Sequence, residues 1–101
     1  MSQYEVGHWI DGAVSRGHGN GERQQDIYNP TTGAVQGKLL LGSVADLDAA
    51  VASATRAAKA WGQTPALARS RVLFKFLALV QERRELLAAA LVREHGKTMP
   101  D

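Results

Sequence analysis

The stretch SVADLDAAVASATRAAKAW, Ser43 to Trp61, decides the fold. Within it Val44, Leu47, Val51, Ala54, Ala58 and Trp61 recur at steps of three and four, which lays a single apolar stripe along a helix. Ser43 is placed to cap that helix, and Asp46 three residues later supplies an acidic variant of the capping box. The acids fall early and Arg56 and Lys59 fall late, as the helix macrodipole favours. Gly62 is expected to close the helix.

Downstream the same period continues. Thr64-Pro65 is expected to open a second helix, threonine as its cap and proline where a missing N–H has no partner to lose. Val72, Leu73, Phe76, Leu79 and Val80 form its predicted inner face, with Arg69, Arg71, Lys75 and Glu82 toward water. The periodicity runs on through Arg83-Arg84 to Leu86, Leu87, Ala90, Leu91 and Glu94, as one bent helix or two, until Gly96 stops it. Pro100-Asp101 reads as an interruption more than as a finished terminus.

Upstream of Ser43 the pattern is of short strands and turns. His8-Trp9-Ile10 and Ala13-Val14 flank Asp11-Gly12, the dipeptide that most favours a tight hairpin. Ile27-Tyr28 and Val35 to Leu41 form a second predicted hairpin around Asn29-Pro30-Thr31-Thr32-Gly33. Between the hairpins lies Gly17-His18-Gly19-Asn20-Gly21, whose glycines leave the backbone too free to hold one shape without outside contacts; a mobile loop is expected. The fold class is therefore α+β: N-terminal β-hairpins over residues 1–43, then two or three α-helices over residues 44–101.

Composition narrows the function classes. With 101 residues the chain has room for one small domain, and 45% apolar and 22% charged residues argue against disorder. Much of the apolar content is alanine, so a core built from these helices alone would be thin. The net charge is +2, with acids one ahead through Ser43 and nine basic residues against six acidic ones beyond it. Interleaved charge of this kind is a solvated helix surface and not a nucleic-acid footprint, which needs clustered Lys and Arg. The pairs Arg69 with Arg71 and Arg83 with Arg84 lie beside Phe74 and Phe76, but the place of both phenylalanines near the apolar face predicts core packing and not exposed stacking. No secretory or organelle signal is visible in the opening residues, which makes the cytoplasm the default location, and no apolar run is long enough to span a membrane.

Cysteine is absent, which removes disulfides, thiolate metal sites and thiol nucleophiles together. Gly96-Lys97-Thr98 has the ending of a phosphate-binding loop, but the required glycine five positions earlier is Leu91, and a helix leads in where a strand is needed. His8, His18 and His95 share no helical spacing and no carboxylate at a ligand-like interval. The residues alone thus describe an α+β segment without visible catalytic machinery.

Four stretches in this order resemble the beginning of aldehyde dehydrogenases: His8-Trp9-Ile10-Asp11-Gly12, Tyr28-Asn29-Pro30-Thr31-Thr32-Gly33, Ala57-Ala58-Lys59-Ala60-Trp61, and Glu94-His95-Gly96-Lys97-Thr98. Thr64-Pro65, the run Ala68 to Phe76, and His95 within the last stretch resemble the methylmalonate-semialdehyde, CoA-acylating branch. The resemblance implies that residues 1–101 are the N-terminal portion of an α/β aldehyde dehydrogenase fold. It implies an enzyme in which a cysteine attacks the aldehyde, NAD accepts hydride and coenzyme A accepts the acyl group. It places the nucleophilic cysteine, the general-base glutamate, the oxyanion asparagine and the glycine-containing cofactor loop beyond Asp101.

No catalytic, cofactor-binding or metal-binding residue is therefore assigned within the chain, and it is expected to be inert alone. Some relatives hold a structural monovalent cation with a carbonyl near Tyr28 and an acid near Glu94, but no metal site is assigned from that likeness. Val44, Leu47, Val51, Trp61, Phe76 and Leu79 become sealing residues against the remainder of the dehydrogenase, the expected partner, within an expected homo-oligomer. A stand-alone helical interaction module and a weak nucleic-acid binder are the competing readings.

Overall fold

A computed structural model describes residues 3–101. The chain forms β1 (Tyr4–Val6), β2 (His8–Ile10), β3 (Ala13–Ser15), β4 (Gln24–Tyr28), β5 (Val35–Leu40), α1 (Val44–Gln63), α2 (Ala66–Glu82) and α3 (Arg84–His95). Both predicted hairpins form, as antiparallel β2–β3 and β4–β5. At the tip of the first, Asp11 and Gly12 have φ of 56° and 76°; positive φ at both central residues matches the right-handed twist of the strands. In the second, Asn29 Oδ1 accepts from the N–H of Thr31 at 2.8 Å and of Thr32 at 3.3 Å, and Gly33 takes φ 76°. Asp26 faces Lys38 across β4–β5 and forms an ion pair with it.

β1 was not anticipated. It pairs in parallel with β5, so that the larger sheet has the order β1-β5-β4. Gly37 sits opposite Tyr4, and a Cβ built on it would lie 2.8 Å from the Tyr4 carbonyl oxygen, so only glycine admits this close approach.

The capping box at the start of α1 is present in both directions: the Ser43 side chain accepts from the Asp46 N–H, and the Asp46 side chain accepts from the Ser43 N–H. The far end differs from expectation. Gly62 lies inside the helix, which runs to Gln63, and the terminator is Pro65: the residue before a proline is pushed out of helical space, and Thr64 is extended at φ −67°, ψ 131°. Thr64 does not cap α2 either. Its hydroxyl donates back to Ala60 of α1, and Pro65 occupies the cap position of α2 without any side-chain hydrogen bond. Arg69, expected in water, is half-buried and donates from Nε to the Thr64 carbonyl at 3.0 Å, bracing the α1–α2 corner. The helical run breaks at Arg83 (φ −104°, ψ 21°), so there are two helices and not one bent one. Gly96 ends α3 in the left-handed conformation, φ 83°, as predicted.

The arrangement is open. The radius of gyration is 17.2 Å, against about 13 Å for a compact chain of this length. Among the described residues Leu40 is the one large apolar side chain in the core, at 2% exposure. Phe74 and Phe76 are not core residues; they are 66% and 62% exposed, because α2 touches little of this chain apart from its neighbour α3. The stripe on α1 is uncovered too, with Val44, Leu47, Val51 and Trp61 all exposed.

Candidate functional site

Two polar clusters tie the helices to the strands. The first centres on Asp46, which the capping box turns back over the start of α1. Its Oδ2 accepts from the Ser43 N–H at 2.8 Å and the Ser43 hydroxyl at 3.0 Å. Its Oδ1 accepts from the His18 N–H at 2.7 Å and lies 2.8 Å from His18 Nδ1. The residue is only 6% exposed. The His18 side chain, then the N–H groups of Ser43 and His18, hold its carboxyl well below the usual carboxylate range, with burial opposing them. A carboxylate with both oxygens engaged and so little basicity is no proton acceptor near neutral pH; it works as a latch.

That latch corrects the expectation of a mobile glycine loop. The outside contact that Gly17 to Gly21 lack on their own comes from Asp46, and within the loop the Asn20 N–H donates to the Gly17 carbonyl and the Glu22 N–H to the Gly19 carbonyl. Beside it Arg16 pairs with Glu5 at 2.7 Å.

The second cluster fastens the end of α3 to the larger sheet. The Tyr4 hydroxyl donates to Glu94 at 3.1 Å, the Arg93 guanidinium lies 4.2 Å from the Tyr4 ring centroid, and Gln36 Nε2 donates to the Arg93 carbonyl at 2.9 Å. Burial first, then the hydrogen bond and charge of Glu94, push the Tyr4 phenol up, with Arg93 partly offsetting them. Neither cluster was visible in the sequence, where 28 residues separate His18 from Asp46 and 90 separate Tyr4 from Glu94. Only Asp46 carried a signal, as a cap.

Aldehyde dehydrogenase family characteristics, in the form of a family profile, match residues 18–101. The chain belongs to the aldehyde dehydrogenase family. It is 40% identical over 76 residues to the human mitochondrial methylmalonate-semialdehyde/malonate-semialdehyde dehydrogenase [acylating], a match covering 75% of this chain and 14% of that protein. It is 35% identical over all 101 residues to malonate-semialdehyde dehydrogenase 1 of Bacillus licheniformis, covering 19% of it. Among solved structures it resembles one assigned to a methylmalonate-semialdehyde dehydrogenase of Sinorhizobium meliloti 1021, complexed with NAD. There the TM-score is 0.93 at 46% identity, covering 99% of this chain and 20% of that one. The chain thus spans a fifth or less of the length of these relatives, and its strands and helices match one region of the aldehyde dehydrogenase fold.

Family membership brings NAD into question for these residues, and they do not fit it. A dinucleotide pyrophosphate sits on free N–H groups where a glycine turn leads from strand to helix. The one direct passage from strand to helix among the described residues is β5 to α1. There the N–H groups of Ser43 and Asp46 are already bonded, and the Asp46 carboxylate stands beside the place a phosphate would need. The Tyr28 carbonyl accepts from Gln36 at 3.4 Å and Glu94 accepts from Tyr4. Among the described residues no three His, Cys, Asp or Glu side chains gather as metal ligands. Among the described residues no helix is long and apolar enough to cross a membrane.

Proposed function

We propose that the chain is the N-terminal part of an NAD-dependent, CoA-acylating methylmalonate-semialdehyde/malonate-semialdehyde dehydrogenase, acting in the cytoplasm as a homo-oligomer, and that these residues dock on the remainder of the enzyme while carrying none of its chemistry. What supports the reading above all is the joint agreement of sequence and backbone with the Sinorhizobium meliloti relative over 99% of the chain. The chemistry agrees with a division of labour. Forming an acyl thioester from an aldehyde needs a nucleophilic thiolate, and the chain has no cysteine. Its own residues instead provide two latched helix ends and a long uncovered apolar surface. The exposed Phe74 and Phe76 lie among exposed Leu73 and Leu77, which suits protein docking better than base stacking.

The test is an NADH-forming assay on the extended reading frame with methylmalonate or malonate semialdehyde, with and without CoA. The expected result is turnover that rises with CoA and no turnover by the 101 residues alone. A rate indifferent to CoA would remove the acylating assignment, and turnover by the purified 101-residue chain would overturn the division of labour.

A further inference from the structure

The chain holds two asparagines, and the residue after each gives its side chain a different chemistry. Asn29 precedes Pro30, whose nitrogen carries no hydrogen, and its Oδ1 is engaged by the N–H groups of Thr31 and Thr32. Asn20 precedes Gly21 in the glycine loop, is exposed, and takes a left-handed φ of 48°. Among the described residues neither the Asn20 side chain nor the Gly21 N–H has a hydrogen-bond partner. The Asp46 latch grips the loop at His18, on the far side of Gly19, and leaves the Asn20–Gly21 bond to lighter restraints. These are the Glu22 N–H to the Gly19 carbonyl at 2.9 Å and Gln24 Nε2 to the Gly21 carbonyl at 2.7 Å. Gly19, Asn20, Glu22 and Gln24 are all exposed, so local opening here costs little.

We propose that Asn20 is a self-modification site, at which the Gly21 nitrogen attacks the Asn20 side-chain amide and water completes its conversion to an acid. The bond from the Gly21 nitrogen to Cγ forms as the bond from Cγ to the amide nitrogen breaks. The proton from the Gly21 N–H leaves with the amide nitrogen as ammonia, and a succinimide ring remains. Water then opens the ring at either carbonyl: cleavage at Cγ gives an ordinary aspartate, and cleavage at the backbone carbonyl gives an isoaspartate. The step needs no oxidant and no cofactor. Glycine suits it because no side chain shields the attacking nitrogen, and asparagine is among the thermally labile residues. Asp11-Gly12 is the nearest parallel, but its carboxylate is a poor electrophile and is tethered by the Ser53 hydroxyl at 3.2 Å. Either product places a negative charge on the loop. The isoaspartate also routes the backbone through Cβ, which lengthens the path that the Glu22-to-Gly19 bond closes. The inference is independent of the activity proposed above.

The experiment incubates the folded product of the extended reading frame in oxygen-18 water at mildly alkaline pH, digests it with trypsin in ordinary water and weighs the peptides. Cleavage after Arg16, Arg23 and Lys38 puts Asn20 and Asn29 on separate peptides, residues 17–23 and 24–38. The first should gain the mass of an amide-to-acid change with labelled oxygen at position 20, and should split into isoaspartyl and aspartyl forms. Conversion at Asn20 should be about tenfold or more faster than at Asn29, since Pro30 has no N–H to give up. It should lie within about tenfold of the rate in the same chain unfolded by urea, since opening the loop costs little. Asn20→Gly, which keeps the left-handed backbone and removes the amide, should abolish the gain in that peptide. Labelling confined to the urea-unfolded chain would overturn the proposal, because the fold would then protect the site. So would equal labelling of Asn20 and Asn29, an aspartyl product without the isoaspartyl form, or a gain that survives in Asn20→Gly.

Discussion

Separating these 101 residues from any partner should abolish cooperative unfolding. A folded monomer of 10.9 kDa exposes about 5,600 Å² and its unfolded chain about 15,800 Å², whereas this chain folded exposes 8165 Å². Folding therefore hides about three quarters of the usual area. Any unfolding m-value and heat-capacity change should shrink to about three quarters of the values normal for the length, since both follow exposed area. The backbone entropy lost per ordered residue does not shrink with them. The missing burial, at about 25 cal/mol per Å² of its apolar part, amounts to tens of kcal/mol, against a net stability of about 5–15 kcal/mol for ordinary domains. Calorimetry and sedimentation of the isolated chain should show a broad, weak transition and association through the exposed α1 and α2 faces. A monomer with one sharp transition and equal calorimetric and van't Hoff enthalpies would refute the reasoning.

Ser43→Ala should lower the helicity of a peptide covering α1 and its cap, at a cost of about 1 kcal/mol, read by circular dichroism; an unchanged spectrum would deny the cap its role. Gly37→Ala should push β1 off β5, because the new methyl group meets the Tyr4 carbonyl oxygen as well as the Tyr4 ring, and the backbone contact is not relieved by moving the side chain; hydrogen exchange should then rise at the β1 amides that pair with β5, and unaltered protection would contradict the close approach. In the folded chain the carboxyl of Asp46 should titrate well below ordinary aspartates. A folded value below the unfolded one means that its contribution to stability is complete above the unfolded range and is lost only as pH falls through the folded value, so the latch should outlast mild acid. A carbon-13 midpoint at the ordinary aspartate value would exclude that.

Features that depend on near neighbours were legible in the sequence. Ser43 and Asp46 are three residues apart, and Asp11-Gly12 dictates its own turn, so the cap and the first hairpin could be read directly. Gly62 was misread because Pro65, which excludes helical geometry at Thr64, outweighs a glycine that the helix can accommodate. β1 escaped notice because three residues carry no alternation to detect, and it is a strand only by virtue of β5. The glycine loop was taken as mobile because its anchor stands on a different element. Phe74 and Phe76 were assigned to a core because periodicity shows which face of a helix seeks cover, but not whether the same chain supplies it. The candidate site was the least legible part: an absent cysteine could be counted, while the contacts of Asp46 with His18 and of Tyr4 with Glu94 exist only once distant segments are brought together.

The pairing of β1 with β5 has a consequence for biogenesis. Tyr4 to Val6 cannot settle until Val35 to Leu40 have followed them, and Tyr4 waits longer still, for Glu94. Parallel strands cannot close through a simple turn, so the leading strand is among the last pieces to be stitched in. Anything fused ahead of Tyr4 would travel with that late-arriving strand, and a carrier bulky enough to hold it away would leave the start of the chain and the tip of α3 unfastened together.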